Sequence, residues 1–159
     1  MRVAQIQLTN YFVSELQFAA NRGFKRDAPS NITADDLQVS HQASANVENE
    51  RQWQITLRVA LHAAPESNSP YSFLVEMVGF IQVDTSVTED RIERFARING
   101  TSLIFAAARE IIKAATSRGP FPPLLLPTVT FWEPKKEKQS PPETSINASP
   151  ETGAETSSR

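Results

Sequence analysis

Between Thr101 and Phe131 the chain reads TSLIFAAAREIIKAATSRGPFPPLLLPTVTF, and this stretch limits the possible folds more than any other. Apolar residues at Ile104, Ala107, Ala108, Ile111 and Ala115 recur at spacings of three and four, which predicts a helix with Thr101 as its N-cap. Gly119 is placed to take a left-handed C-cap. Gly119-Pro120 and Pro122-Pro123 then stop the helix, because proline lacks the N–H that the next turn needs. Leu124, Leu125, Leu126 and Phe131 follow in an extended path that makes few local contacts, so a surface must cover them, either the chain's own sheet or another molecule. On the helix, only Ser102, Arg109, Lys113 and Thr116 form a clear polar stripe. The apolar arc is wider than one sheet face requires, and a second copy of the chain is the simplest cover for the remainder.

The segments before this helix alternate with period two. Phe12, Leu16 and Phe18 alternate with Val13, Glu15 and Gln17, predicting a half-buried strand over Tyr11 to Ala20. Asn21 to Asp35 reads as a loop, with Gly23, Pro29 and the basic trio Arg22, Lys25 and Arg26 around a lone Phe24. Leu37, Val39, His41, Ala43, Ala45 and Val47 mark a second strand. Trp53, Ile55, Leu57, Val59 and Leu61 mark a third, expected to be central. Tyr71, Phe73, Val75 and Met77 mark a fourth, whose other face carries Leu74, Val78 and Phe80 and is too apolar for plain solvent. Gly79 predicts a bulge or a close backbone approach. Short turns between successive strands favour an antiparallel meander. Thr88 opens a helix with Glu89 and Asp90 in its first turn, and Asn99-Gly100 is expected to interrupt it before Thr101.

At 159 residues with 40% apolar side chains, the chain fits one domain over residues 1–132 and a disordered tail over 133–159 that is rich in Pro, Ser, Thr and Glu. A formal charge of −2, with no aromatics among clustered Lys and Arg, argues against nucleic acid as a partner. The absence of cysteine removes disulfides and thiolate metal sites and is compatible with a reducing cytosol. No apolar run approaches the roughly 20 residues that span a bilayer, and residues 1–10 lack a signal-peptide core, so no direct membrane insertion is expected. His41 and His62 read as ordinary strand histidines, without neighbours at metal-ligand spacing. There is no phosphate loop, HExxH or nucleophile elbow, and Arg109-Glu110 reads as a solvated helix face. No enzyme chemistry and no cofactor are expected. Semi-exposed apolar surface is the positive signal, and such surface marks a binding or oligomer contact.

The order of segments resembles SecB, the bacterial protein-export chaperone family. The matching residues are WQITLRVALHA, YSFLVEMVGFIQV and LIFAAAREIIKAATSRGPFPPLLLPTVTF, with ARE, SRG-x-FP-x-L and LP-x-V-x-F as shared elements, and more weakly FVSELQFAAN. The resemblance covers roughly residues 5–132. It implies an α+β fold, a four-stranded antiparallel sheet with helices packed on one side, assembled as a dimer of dimers. It also implies a cytoplasmic homotetrameric holdase that binds unfolded polypeptides in long grooves and delivers them to the SecA motor. Leu37 and Val39 match apolar groove positions, although pattern alone reads them equally well as core. Phe24, Phe80, Phe121, Leu124 and Leu126 complete the candidate client-binding set. Glu15, Leu74 and Glu76 match an acidic, partly apolar SecA-docking patch.

Three departures stand beside the resemblance. His41 occupies a groove position expected to be apolar, which would narrow the groove or make it pH-sensitive. Ala19 replaces a further acidic position of the docking patch. The family's last amphipathic helix has no counterpart in WEPKKEKQSPPETS, which leaves open how the groove is walled. A SecB-like chaperone dedicated to one partner, such as an antitoxin, is the alternative reading. A small enzyme on the same scaffold would need a polar pocket of converging titratable groups.

Overall fold

The computed structural model describes residues 4–62 and 66–132. The tail expected to be disordered, 133–159, lies outside the described residues, as does the segment where the family's last helix would fall.

Four antiparallel strands form one sheet in the order β1-β4-β3-β2, with β1 Ile6–Ala20, β2 Leu37–Ala45, β3 Gln52–Leu61 and β4 Tyr71–Val83. The meander expectation holds for β2, β3 and β4. The first strand departs from it, because the chain from 21 to 36 crosses to the opposite edge of the sheet before β2 begins. Asn68, at φ 43° in a conformation asparagine tolerates, pins this crossover to the β3–β4 turn. Its side-chain amide donates to the carbonyls of Lys25 and Ala28, and its Oδ1 accepts from Lys25 N–H. Asn21 adds a bond from its side chain to the Ser69 carbonyl.

β3 is the central strand its alternation predicts, with Ile55, Leu57, Val59 and Leu61 fully buried beside Val75 and Met77 of β4. β1 differs from its period-two reading. Register shifts between Leu8 and Asn10 and between Val13 and Glu15 insert one extra residue each time. Phe12 therefore pairs with Val78 on the outer face, whereas Leu16 and Phe18 pair with Val75 and Phe73 on the helix side. A bulge reverses the phase of everything beyond it.

The helices lie on one side of the sheet. α1, Glu89–Phe95, starts after Thr88 as expected and runs through a turn of π-helix, Ala96–Gly100, directly into α2, Thr101–Thr116. Asn99-Gly100 does not break the helix, and Thr101 is no N-cap: it is helical and fully buried. The buried positions of α2 are Thr101, Ile104, Phe105, Ala108, Ile112 and Thr116, a face rotated slightly from the one the sequence spacing selects. Thr116 is polar yet buried, because its hydroxyl donates to the Ile112 carbonyl and accepts from Leu124 N–H at 3.0 Å.

Close approach explains the glycines. Of the two readings for Gly79, close approach is the one found: a methyl group there would overlap the Ile104 side chain. Gly119 has no positive φ, so it is not a left-handed cap; a side chain there would collide with the Tyr71 ring. Gly79→Ala should cost about 1–3 kcal/mol through overpacking, read as a lowered urea midpoint at unchanged slope.

Candidate functional site

Beyond α2 the chain extends as an arm that its prolines keep out of any ladder. Leu124 and Leu126 point inward at 4% and 3% exposure, and Leu125 points outward at 69%. The hydroxyl of Tyr71 anchors the start of the arm. It accepts from Phe121 N–H at 2.9 Å, and its own proton lies within reach of the Phe121 and Thr116 carbonyls at 2.8 and 3.1 Å. The end of the arm lies against β2: the Phe131 ring meets the His41 ring at 5.5 Å and Phe105 of α2 at 5.7 Å.

The crossover joins the arm through aromatic contact. Phe24 packs on Phe121 at 5.0 Å, and the Arg26 guanidinium sits 5.6 Å over the Phe121 ring while reaching the Pro120 carbonyl. β2, the crossover and the arm thus form one continuous flank. It brings together Phe24, Leu37, Val39, Phe121, Leu124 and Leu126 of the candidate client-binding residues. Leu37, Leu124 and Leu126 are core side chains there, whereas Phe24, Val39 and Phe121 are half-buried. His41 is exposed at the edge, with Phe131 as its neighbour. Among the described residues, no group of three His, Asp or Glu side chains is placed to hold a metal.

Phe80 lies elsewhere. It is on the outer face of the sheet, 37% exposed and 6.3 Å from the half-exposed Phe12. The same face carries Glu15, Leu74 and Glu76, so the three candidate docking residues do share a surface. Sequence pattern missed their common partner. Arg58 of β3 reaches Glu15 at 3.2 Å and Glu76 at 3.3 Å, tying three strands together, while Ser14 donates to Glu76 and Gln17 to Glu15. Arg58 and Glu76 sit opposite each other in the register, a pairing the strand alternation could have revealed. Two carboxylates against one guanidinium leave a single net negative charge on the patch.

The sequence matches the family model described as "Preprotein translocase subunit SecB" over residues 2–139. The chain belongs to the SecB family. It is 33% identical over 122 residues to a protein named protein-export protein SecB from Rhodopseudomonas palustris, covering 72% of this chain and 74% of that one. An uncharacterized protein of Methanocaldococcus jannaschii is 25% identical over 128 residues, 78% of each chain. Among solved structures, a SecB-like chaperone of Mycobacterium tuberculosis in complex with an antitoxin peptide superposes with a TM-score of 0.58 at 18% identity, covering 79% of this chain and 91% of that one. That likeness concerns the fold. It agrees with the four-stranded antiparallel sheet and helix layer of the SecB architecture.

Arg58 and its two partners are all about a third exposed or more, so solvent screens the triad. Arg58→Ala should lower unfolding stability by less than about 1 kcal/mol, and the difference should shrink at high salt in a denaturant titration.

Proposed function

We infer that the protein is a holdase for unfolded polypeptides in protein export. One observation carries this reading: a SecB chain displays apolar surface on both faces of its sheet and on the arm, with Phe12, Leu16, Phe80, Leu125 and Trp132 between 37% and 69% exposed. A holdase performs no reaction. Each client side chain it covers contributes about 1.5–3 kcal/mol before ordering costs, so single contacts release quickly and several together retain the client. Folded proteins have already buried those side chains and are passed over.

The working form in this reading is a cytoplasmic homotetramer. One flank of α2 supports it: Leu103, Ala107 and Ile111 remain half-buried there, at the margin of the core. The outer-face patch of Glu15, Leu74 and Glu76 is the candidate contact for SecA. Its low net charge supports a modest affinity. Dedication to a single partner is the second reading, favoured by the antitoxin peptide bound to the mycobacterial neighbour.

Three measurements separate these readings. A permanently unfolded protein should bind in an anisotropy titration while its folded form does not. Light scattering at micromolar concentration should return the mass of four chains, and a monomer would contradict the assembly. Glu76→Arg should weaken SecA binding several-fold with client binding unchanged; equal SecA affinity would remove the patch from the export role.

A further inference from the structure

Of the three charged side chains of α2, Glu110 and Lys113 are exposed, whereas Arg109 is half-buried and its Nε is enclosed without a hydrogen-bond partner among the described residues. None of the ion pairs among those residues includes it. A guanidinium keeps its charge inside a protein, and a charge taken out of water is costly until a partner offsets it. The sequence pattern, which reads Arg109-Glu110 as a solvated face, does not reveal this.

The course of the arm locates Arg109. Leu124 N–H donates to the Thr116 hydroxyl at the end of α2, and Phe131 meets Phe105 about three turns earlier. The arm therefore runs back along the side of α2 that carries Phe105, Arg109 and Thr116, which lie within about 40° of one another around an ideal helix. Helical side chains lean toward the N-terminus, so the guanidinium is carried toward Phe105 and the end of the arm. No counter-charge is supplied there. β2 and residues 119–132 contain no carboxylate, and in the crossover Arg22, Lys25 and Arg26 balance Asp27, Asp35 and Asp36. Lys113, one turn along α2, and Arg118 beyond its end add positive charge, while Glu110 lies about 100° around the helix from Arg109. Only Nε is enclosed, so the terminal nitrogens are the groups a ligand meets.

We propose that Arg109 sets client specificity by receiving an Asp or Glu side chain of the bound polypeptide. The proposal rests on the holdase reading and names a chemical feature of the clients it takes. A carboxylate matches the guanidinium fork with paired, charge-assisted hydrogen bonds, which a neutral amide cannot equal. Phe105, Leu126 and Phe131 make the surroundings apolar, so the best fit is an acidic residue set between apolar ones. A lysine at the same point would face Arg109 and Lys113 and be rejected. The sign is opposite on the outer face of the sheet, where Glu15 and Glu76 outnumber Arg58. An acidic segment is thus drawn to the arm and kept off the docking patch.

The test is a set of anisotropy titrations of the full chain with three unstructured leucine-rich peptides that differ only in one central residue, Glu, Gln or Lys. The Glu peptide should bind about fivefold more tightly than the Gln peptide and about tenfold more tightly than the Lys peptide, with both differences shrinking as salt is raised. In Arg109→Gln the Glu and Gln peptides should agree within about twofold, and Arg109→Lys should keep part of the preference. In the unsubstituted protein the side-chain Nε–H resonance of Arg109 should shift when the Glu peptide is added and stay in place with the Gln peptide, which reads the site even if a variant fails to fold. Equal affinity for the Glu and Gln peptides, or a preference that survives Arg109→Gln, overturns the proposal and leaves the holdase reading standing. Failure of all three peptides to bind overturns both. An Arg109 resonance that ignores every peptide but moves when residues 133–159 are removed assigns the guanidinium to the chain's own tail and also overturns the proposal.

Discussion

The contact of α2 with the middle of the sheet is the constraint on which the rest of the molecule depends. Ile104 presses into the space above Gly79, and Gly100 brings the helical rod down onto Ile55 and Ile81. A helix held this close completes the burial of β3 and β4, but it leaves both edge strands only partly covered. Tyr11, Val13 and Leu16 of β1 lie on the helix side and still keep 36% to 51% of their surface exposed. The apolar surface available for binding is thus a by-product of how narrowly one helix covers four strands.

The arm packs against the helix side of one edge strand, β2, and not against the other. Tyr71 and Thr116 provide the hydrogen-bond partners that Phe121 and Leu124 lose by leaving the helix, so the chain can turn back without a buried unpaired N–H. From there Leu124 and Leu126 fill the core, and Phe131 reaches His41 on β2. The near-perpendicular contact of the His41 ring with the Phe131 ring accommodates the polar residue at a position where the SecB family resemblance implies an apolar one. Among the described residues, β1 receives no such cover.

Much of this was legible in the sequence. The alternation of Leu37 to Val47 and Trp53 to Leu61 marks two strands to within two residues, that of Tyr71 to Met77 marks the start of a third that runs on to Val83, and Thr88 marks the helix start. What stayed hidden depended on tertiary partners. A bulge at Ser14 cannot be seen in a pattern that assumes one residue per partner, so strict alternation puts Phe12 and Leu16 on one face. Gly100 and Gly119 look like helix breakers locally, whereas Gly100 sits inside the continuous helical rod close over Ile81, and Gly119 is required because the Tyr71 ring leaves no room for a Cβ. Thr116 looked solvent-facing because its hydrogen bonds come from a residue eight positions on. The candidate docking residues share the outer face, but Arg58, their common partner, is revealed only by the strand register.

The most direct measurement of the central claim is arrest of refolding, with the purified protein added in stoichiometric amounts to several unrelated denatured proteins. A chaperone that holds unfolded chains through exposed apolar surface slows the recovery of all of them and leaves already folded samples untouched. Normal refolding of every client would contradict that account and leave a SecB-family chain devoted to a single partner.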